Sequence, residues 1–341
     1  MNTQTYTPWF LHPRFMEKKG SPVLTIPKTM PYTFQQILNC KDIDDVTLKR
    51  DWKNLCDFDA TTNPRKFCGN PTLYKYQMKN LLNCRRGTKG YKTLEEWFAD
   101  PQLKEQLWNE TVKRNRRDKC PYPSPTDVYE CHRLNKGSIV MFKSSTAKFI
   151  YKLFKAKNVL DPTAGWGGRM LGAMSLDINY TGIDTNVNMR GAYQKLMCVD
   201  KWEKQSLSSE CDETEYKELY SVKMIWKSLF DVDFKEGNYD LVLTSPPYSN
   251  MEIYEHSSLY DSDDDYYKTF LIPMMNKLME ECNCPICINV SPKIYETLTT
   301  KYMFLSCDTQ IDLRQQLGKQ FKTKSQDYIY VWKMGLPFEE L

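Results

Sequence analysis

Long apolar runs are missing from this 341-residue sequence. None approaches the ~20 residues of a membrane-spanning helix, and the amino terminus lacks a signal-peptide pattern. Histidine is scarce, and His12, His132 and His256 are too scattered to make a metal or nucleophile site visible in the sequence. Twelve cysteines are present, but their spacing does not repeat as a disulfide framework does, and the chain is long for a stapled secreted scaffold. Reduced thiols in an intracellular compartment are therefore expected, with cytoplasm and nucleus or nucleoid left undistinguished. Cys282, Cys284 and Cys287 lie close together, but no second pair at zinc spacing accompanies them, so buried thiols are expected and no metal. A net charge of +4 is too weak to announce a nucleic-acid partner. What is present, 41% hydrophobic and 13% aromatic residues, excludes a disordered chain. At this length, one core plus an appended module is the natural arrangement.

The most informative stretch is Asp240-Leu241-Val242-Leu243-Thr244-Ser245-Pro246-Pro247-Tyr248. The apolar and β-branched run reads as a buried strand. Two prolines then force the backbone out of the sheet with nearly fixed torsions. Such a turn can hold a carbonyl, a hydroxyl and a ring face at the carboxyl edge of a sheet, a site for a flat ligand bearing an amino group. Taken alone it could equally be structural.

A second motif lies upstream, Val159-Leu160-Asp161-Pro162-Thr163-Ala164-Gly165-Trp166-Gly167-Gly168-Arg169-Met170. It passes from an apolar strand through a glycine bend into a helical run, and glycines there let the backbone approach a ligand. No Gly-Lys-Ser/Thr closes a phosphate loop, and Asp161-Pro162 and Trp166 interrupt the three-glycine dinucleotide spacing. An acid opening the loop suits a positively charged ligand group such as an amino-acid ammonium. About twenty residues on, Asn179-Tyr180-Thr181-Gly182-Ile183-Asp184 reads as a strand ending in an acid able to accept ribose hydroxyls.

The first of these loops resembles the S-adenosylmethionine-binding motif of class I methyltransferases. Ser245-Pro246-Pro247-Tyr248 resembles the catalytic motif of DNA amino-methyltransferases, and Ser249 to Tyr254 is similar to methylases of phages and large DNA viruses. The resemblance covers roughly residues 138 to 335. It implies an α/β, Rossmann-like methyltransferase sheet, mostly parallel with an antiparallel closing strand, plus a helical N-terminal region. It implies S-adenosylmethionine as cofactor, held by Asp161, Thr163, Ala164, Gly165, Gly167 and Asp184. Phe142, Ser145 and Thr146 match the element that holds the methionine end, or else form an ordinary helix on the sheet. Ser228, Leu229 and Phe230 would reach the adenine. Relatives place an acid near Ser228, so either this serine or Asp231 makes that contact. Ser245, Pro246, Pro247 and Tyr248 would be catalytic, acting on cytosine N4 or adenine N6 of a flipped-out DNA base. Serine in the first position shifts the expectation modestly toward cytosine N4. A carbon-5 enzyme is disfavoured because no cysteine stands beside the proline. RNA adenine, protein glutamine and a catalytically inactive binding subunit remain alternatives.

Residues 1–125 are expected to form a mostly helical region for nucleic-acid recognition and residues 126–341 the methyltransferase domain, with Pro121, Pro123 and Pro125 marking the boundary. Proline-bounded pieces before residue 60 would wrap a neighbouring surface. Helical patterns run from Tyr74 to Cys84 and from Thr93 to Arg117, the latter opened by a Thr93/Glu96 capping box. Between Arg65 and Lys119 stand fourteen basic against six acidic residues. Arg85, Arg86, Lys113, Arg114, Arg116 and Arg117, interleaved with aromatics, suit phosphate contact, although a solvated helix end reads the same way. The acidic run Asp261 to Asp265 reads as a helix start. Further strands are expected at Ser221–Trp226 and Pro285–Val290, with Tyr302–Leu305 and Asp327–Trp332 as a closing pair.

Overall fold

A computed structural model describes residues 26–61, 67–84, 92–117, 122–135, 141–200, 220–249, 260–313 and 328–334, without the side chains of 116, 117 and 135. Strands β1 (Asn158–Asp161), β2 (Asn179–Ile183), β3 (Val222–Ile225), β4 (Leu241–Thr244), β5 (Ile286–Val290), β6 (Thr309–Asp312) and β7 (Tyr328–Trp332) form a seven-stranded sheet among the described residues, ordered β3-β2-β1-β4-β5-β7-β6. β1 to β5 pair in parallel. β7 runs antiparallel to both β5 and β6. This is a mostly parallel, Rossmann-like sheet with one reversed strand, as expected.

The reversed strand is not the edge, because β7 is inserted between β5 and β6. The expected strand at Tyr302–Leu305 is irregular, and its place is taken by Thr309–Asp312. The reason is local. The Tyr302 and Phe304 amides donate to the carbonyls of Thr297 and Leu298, at the end of the helix Pro292–Thr300. Met303 then turns through φ +53 with its side chain in solvent, so the segment cannot enter a ladder.

Helices cover both faces, as parallel strands require. Alternation along β4 sends Leu241 and Leu243 to one core and Val242 to the other. The second core packs against the helix Ile272–Glu281, with Met274 and Leu278 buried. The first core is shared with the N-terminal helices α1 (Phe34–Leu38), α2 (Asp45–Asp57), α3 (Asn70–Leu82), α4 (Leu94–Ala99), α5 (Pro101–Arg117) and α6 (Pro125–Asn135). Leu73, Trp97, Trp108 and Val128 belong to the same buried cluster as Val159, Met170, Leu243 and Val331. The Trp108 indole N–H donates to the Pro27 carbonyl at 2.9 Å. The Tyr32 hydroxyl donates to the Pro123 carbonyl at 2.6 Å, so the early segment from residue 26 wraps these helices.

The Thr93 capping box is formed: Glu96 N–H donates to Thr93 Oγ1, and Thr93 N–H donates to the Glu96 carboxylate. The expected single helix to Arg117 is broken at Asp100. Its carboxylate accepts the N–H groups of Gln102 and Leu103 and starts a new helix at Pro101. Helices α7 (Ser144–Leu153), α8 (Gly168–Met174) and α9 (Arg190–Leu196) follow the expected pattern. Cys287 lies fully buried in β5, and burial pushes the thiols of Cys282 and Cys284 up to about 12 and about 11. No described helix is long and apolar enough to cross a membrane.

Candidate active site

The strand order reverses between β1 and β4, and the crevice outside such a switch point is where ligands bind in open α/β sheets. Both motifs meet there. After β1 the chain turns at Gly165 (φ +59) and Gly167 (φ +87), a backbone region that favours glycine. Gly168 then opens α8 against the preceding segment so closely that a Cβ would lie 2.0 Å from the Phe142 carbonyl oxygen.

The loop is held at successive points. The Ala164 N–H donates to the Ile183 carbonyl and the Gly165 N–H to Asp184 Oδ2, each at 2.8 Å. The Tyr193 hydroxyl donates to the Gly165 carbonyl at 2.8 Å, and Gln77 Nε2 of α3 donates to the Trp166 carbonyl at 3.2 Å. Asp184 therefore ends β2 facing the loop, also accepting the Asn186 N–H at 2.8 Å. Burial pushes its carboxyl up to about 6, against the pull of those two amide donors. Lone pairs remain for a ligand hydroxyl.

Asp161 faces inward. Its carboxylate is fully buried and accepts from Arg169 Nε and the Tyr180 hydroxyl at 2.6 Å each, and from Thr244 Oγ1 at 2.8 Å. Burial weakens the Arg169 guanidinium, but the charge and hydrogen bond of Asp161, with Tyr180 and Tyr151 nearby, together more than offset this and raise its pKa. Arg169 also donates to the Thr163 carbonyl and lies over the Phe142 ring, 5.0 Å from its centroid.

Thr163 and Thr244 join the two motifs. Their hydroxyls are 2.5 Å apart, and Thr163 Oγ1 donates to the Ser245 carbonyl at 3.1 Å. In the turn, the Ser245 hydroxyl donates to the Asn289 carbonyl of β5 at 3.2 Å. The Tyr266 hydroxyl donates to the Pro247 carbonyl at 2.8 Å. Burial holds that phenol far above its ordinary range, so it stays a donor. The carbonyls on either side of Pro246 are thus committed, to Thr163 and to Tyr266. Tyr248 is half-buried against the core containing Tyr266.

Ser228 accepts the Phe230 N–H at 3.3 Å and so caps the short turn Leu229–Asp231. Leu229 is buried, while Phe230 stays 41% exposed and meets Phe270 edge-on at 6.1 Å. Phe270 stacks on Tyr266 at 5.9 Å, which connects the Phe230 turn to the Ser-Pro-Pro-Tyr turn through aromatic contacts. Ser145 and Thr146 are buried in the first turn of α7. Tyr180, Tyr193, Tyr266, Gln77 and Thr244 were not among the residues marked by motif. Only Thr244, flanking the turn, and Tyr180, within the strand that ends in Asp184, fall inside the quoted motifs.

The basic candidates lie apart from this crevice in sequence, on and before α5. Lys113 is exposed, and Arg114 donates to the Glu130 carbonyl at 3.4 Å. Arg116 and Arg117 fall in the last turn of α5, their side chains outside the described set. Arg85, Arg86 and most of the run from Ser249 to Tyr254 lie outside the described residues. Among the described residues, no group of three or more His, Cys, Asp or Glu could hold a metal ion.

No protein-family model and no curated protein matches the sequence. Solved structures similar to the chain include an RNA methyltransferase from Salinibacter ruber in complex with S-adenosyl-L-homocysteine. It is 12% identical, with a TM-score of 0.32, over 59% of this chain and 99% of that one. A human methyltransferase 10 domain containing protein is 11% identical, with a TM-score of 0.34, over 59% and 85%. Magnesium protoporphyrin IX methyltransferase from Synechocystis PCC 6803, with bound S-adenosylmethionine, is 12% identical, with a TM-score of 0.30, over 60% and 89%. Likeness of this degree does not bear on what this chain acts on.

Proposed function

We propose that this chain transfers a methyl group from S-adenosylmethionine to an exocyclic amino group of a DNA base, cytosine N4 or adenine N6. The observation that carries the reading is the joint between the two motifs. Thr163, Thr244 and Asp161 tie the glycine loop to the Ser-Pro-Pro-Tyr turn through polar contacts of 2.5 to 3.1 Å, Thr244 Oγ1 donating to Asp161 and Thr163 Oγ1 donating to Thr244 Oγ1 or to the Ser245 carbonyl. A donor site and an acceptor site are thereby fixed relative to each other, which is what a direct transfer needs.

The residues present fit the cofactor. Gly165 and Gly167 open a backbone cradle, the Asp184 carboxylate suits the ribose hydroxyls, and exposed Phe230 offers a ring face to the adenine. When bound, the cofactor supplies a methyl group on a positively charged sulfur. The chain's own part is to prepare the amine, whose lone pair is delocalised into the base. The Ser245 hydroxyl spends its hydrogen on Asn289, leaving its oxygen to accept one amino hydrogen. The Pro246 carbonyl accepts the other. Drawing both hydrogens aside pyramidalises the nitrogen and bares its lone pair. Tyr248 covers the base, which must leave the helix or come from a single strand. Residues 1–125, with Arg85, Arg86, Lys113, Arg114, Arg116 and Arg117, would hold the phosphate backbone.

Tritiated-methyl transfer to DNA, RNA and protein, followed by nucleoside analysis, tests the reading. Label in N4-methylcytosine or N6-methyladenine of DNA is expected, and its loss in Ser245→Ala and Tyr248→Ala. Label confined to RNA or to glutamine would overturn the substrate, and retained activity in both variants would overturn the site.

A further inference from the structure

The proposed transfer asks for two acceptors from one turn, the Ser245 hydroxyl oxygen and the Pro246 carbonyl, aimed at a single nitrogen. We infer that Tyr266, which stands outside both motifs, is the positioning residue that aims the Pro246 carbonyl. This assignment rests on the functional reading above and deepens it.

The rings of Pro246 and Pro247 lock φ, so only the rotations about ψ are left to set the turn. Those rotations are fixed by what holds the flanking carbonyls. On one side, Thr163 Oγ1 lies 3.1 Å from the Ser245 carbonyl, but its single hydrogen is also drawn to Thr244 Oγ1 at 2.5 Å. On the other side, the Tyr266 hydroxyl donates to the Pro247 carbonyl at 2.8 Å. Between them, no group among the described residues donates to the Pro246 carbonyl, which leaves it for the amine. Without the Tyr266 hydroxyl, the Pro247 carbonyl would be a rival acceptor one residue along. The peptide plane that carries the Pro246 carbonyl would also lose its firmer end.

Tyr266 is built to hold still. It is 1% exposed, ends the helix Asp263–Tyr266 and leads into a π-helical turn, Tyr267–Leu271. Such turns are rare and often stand at functional sites. The Tyr266 ring lies between Tyr260, edge-on at 5.2 Å, and Phe270, stacked at 5.9 Å. The same helix takes a second hold just past the turn, where Ser249 Oγ donates to Asp263 Oδ1 at 2.9 Å. Asp264 in turn pairs with Lys301 at 2.8 Å, tying this helix to the end of the helix Pro292–Thr300.

Steady-state methyl transfer and calorimetric titration of S-adenosylhomocysteine, run together, test the assignment. Tyr266→Phe removes one oxygen and keeps the packed ring, so near-ultraviolet circular dichroism should match the wild type. Its kcat is expected to fall about tenfold or more, because a small misdirection at the reacting centre is costly. S-adenosylhomocysteine affinity and the KM for DNA should stay within about twofold. Tyr267→Phe is the control: it removes the neighbouring phenol, which reaches the Ile294 carbonyl at 3.5 Å, and should keep its kcat. Retained kcat in Tyr266→Phe, an equal fall in Tyr267→Phe, or a matching loss of S-adenosylhomocysteine affinity would overturn the assignment while leaving the functional reading intact. Should the wild type label RNA instead of DNA, the functional reading fails on its substrate, and the same kcat comparison on RNA decides Tyr266. A wild type that transfers no methyl group would overturn both.

Discussion

Asp161 offers about four lone-pair positions, and three are filled from inside the fold by Arg169, Tyr180 and Thr244. Its neighbours in sequence suggest a ligand-facing acid, yet its donors come from α8, β2 and β4, which no spacing reveals. Removing one partner strands a buried charge. Arg169→Met is expected to lower stability by about 3–5 kcal/mol, read from chemical unfolding. Asp184 behaves differently, because burial raises its carboxyl to about 6. A raised acid favours folding while it is protonated, fully below its ordinary value, and that contribution is lost as pH rises through about 6. Asp184→Asn should therefore gain Tm over wild type as pH goes from ~4 to ~8, while losing affinity for the methyl donor. Wild-type donor affinity should fall as pH drops below about 6, and this dependence should vanish in the variant. A flat profile in wild type would remove Asp184 from the ribose site.

Among the elements, those governed by local chemistry were legible. The glycine turn, the strand β4 with its proline exit and the Thr93 cap each depend on a few consecutive residues. Tyr302–Leu305 was not legible, since its apolar aromatic pattern reads as a strand whereas its amides are captured by the end of the preceding helix. The split between α4 and α5 depends on Asp100 capping a new turn, a competition the helical pattern hides. The contact between α8 and the segment before α7 is tighter than any pattern shows. Gly168→Ala would drive a Cβ into the Phe142 carbonyl oxygen, which is backbone and cannot swing aside. A destabilisation of about 1–3 kcal/mol is expected, measured by thermal unfolding, with weakened donor binding because the glycine loop must shift.

At the scale of the molecule, the N-terminal helices and the sheet bury one another. Leu73, Trp97, Trp108 and Val128 lie in the same cluster as Val159, Met170 and Leu243, and Lys148 of α7 donates to the Leu55 and Cys56 carbonyls at the end of α2. A fragment of residues 126–341 would expose that apolar face. It is expected to aggregate or remain molten, as judged by near-ultraviolet circular dichroism and sedimentation. A fragment that folds cooperatively and binds S-adenosylhomocysteine like the full chain would show that the shared core is dispensable.

The sequence by itself determined the alternation of strands and helices, the two loops at strand ends and the residue types able to meet a methyl donor and an amine. Those features follow from periodicity, proline and glycine torsions and side-chain chemistry, all of them local. Only the tertiary structure decided that Asp161 turns inward, that Thr163 and Thr244 lock the loops together, and that α3 reaches the glycine loop through Gln77. The Thr244–Asp161, Thr163–Thr244 and Gln77–Trp166 contacts each join elements about eighty or more residues apart along the chain, and are set by how the two cores pack against the sheet rather than by any neighbouring residue.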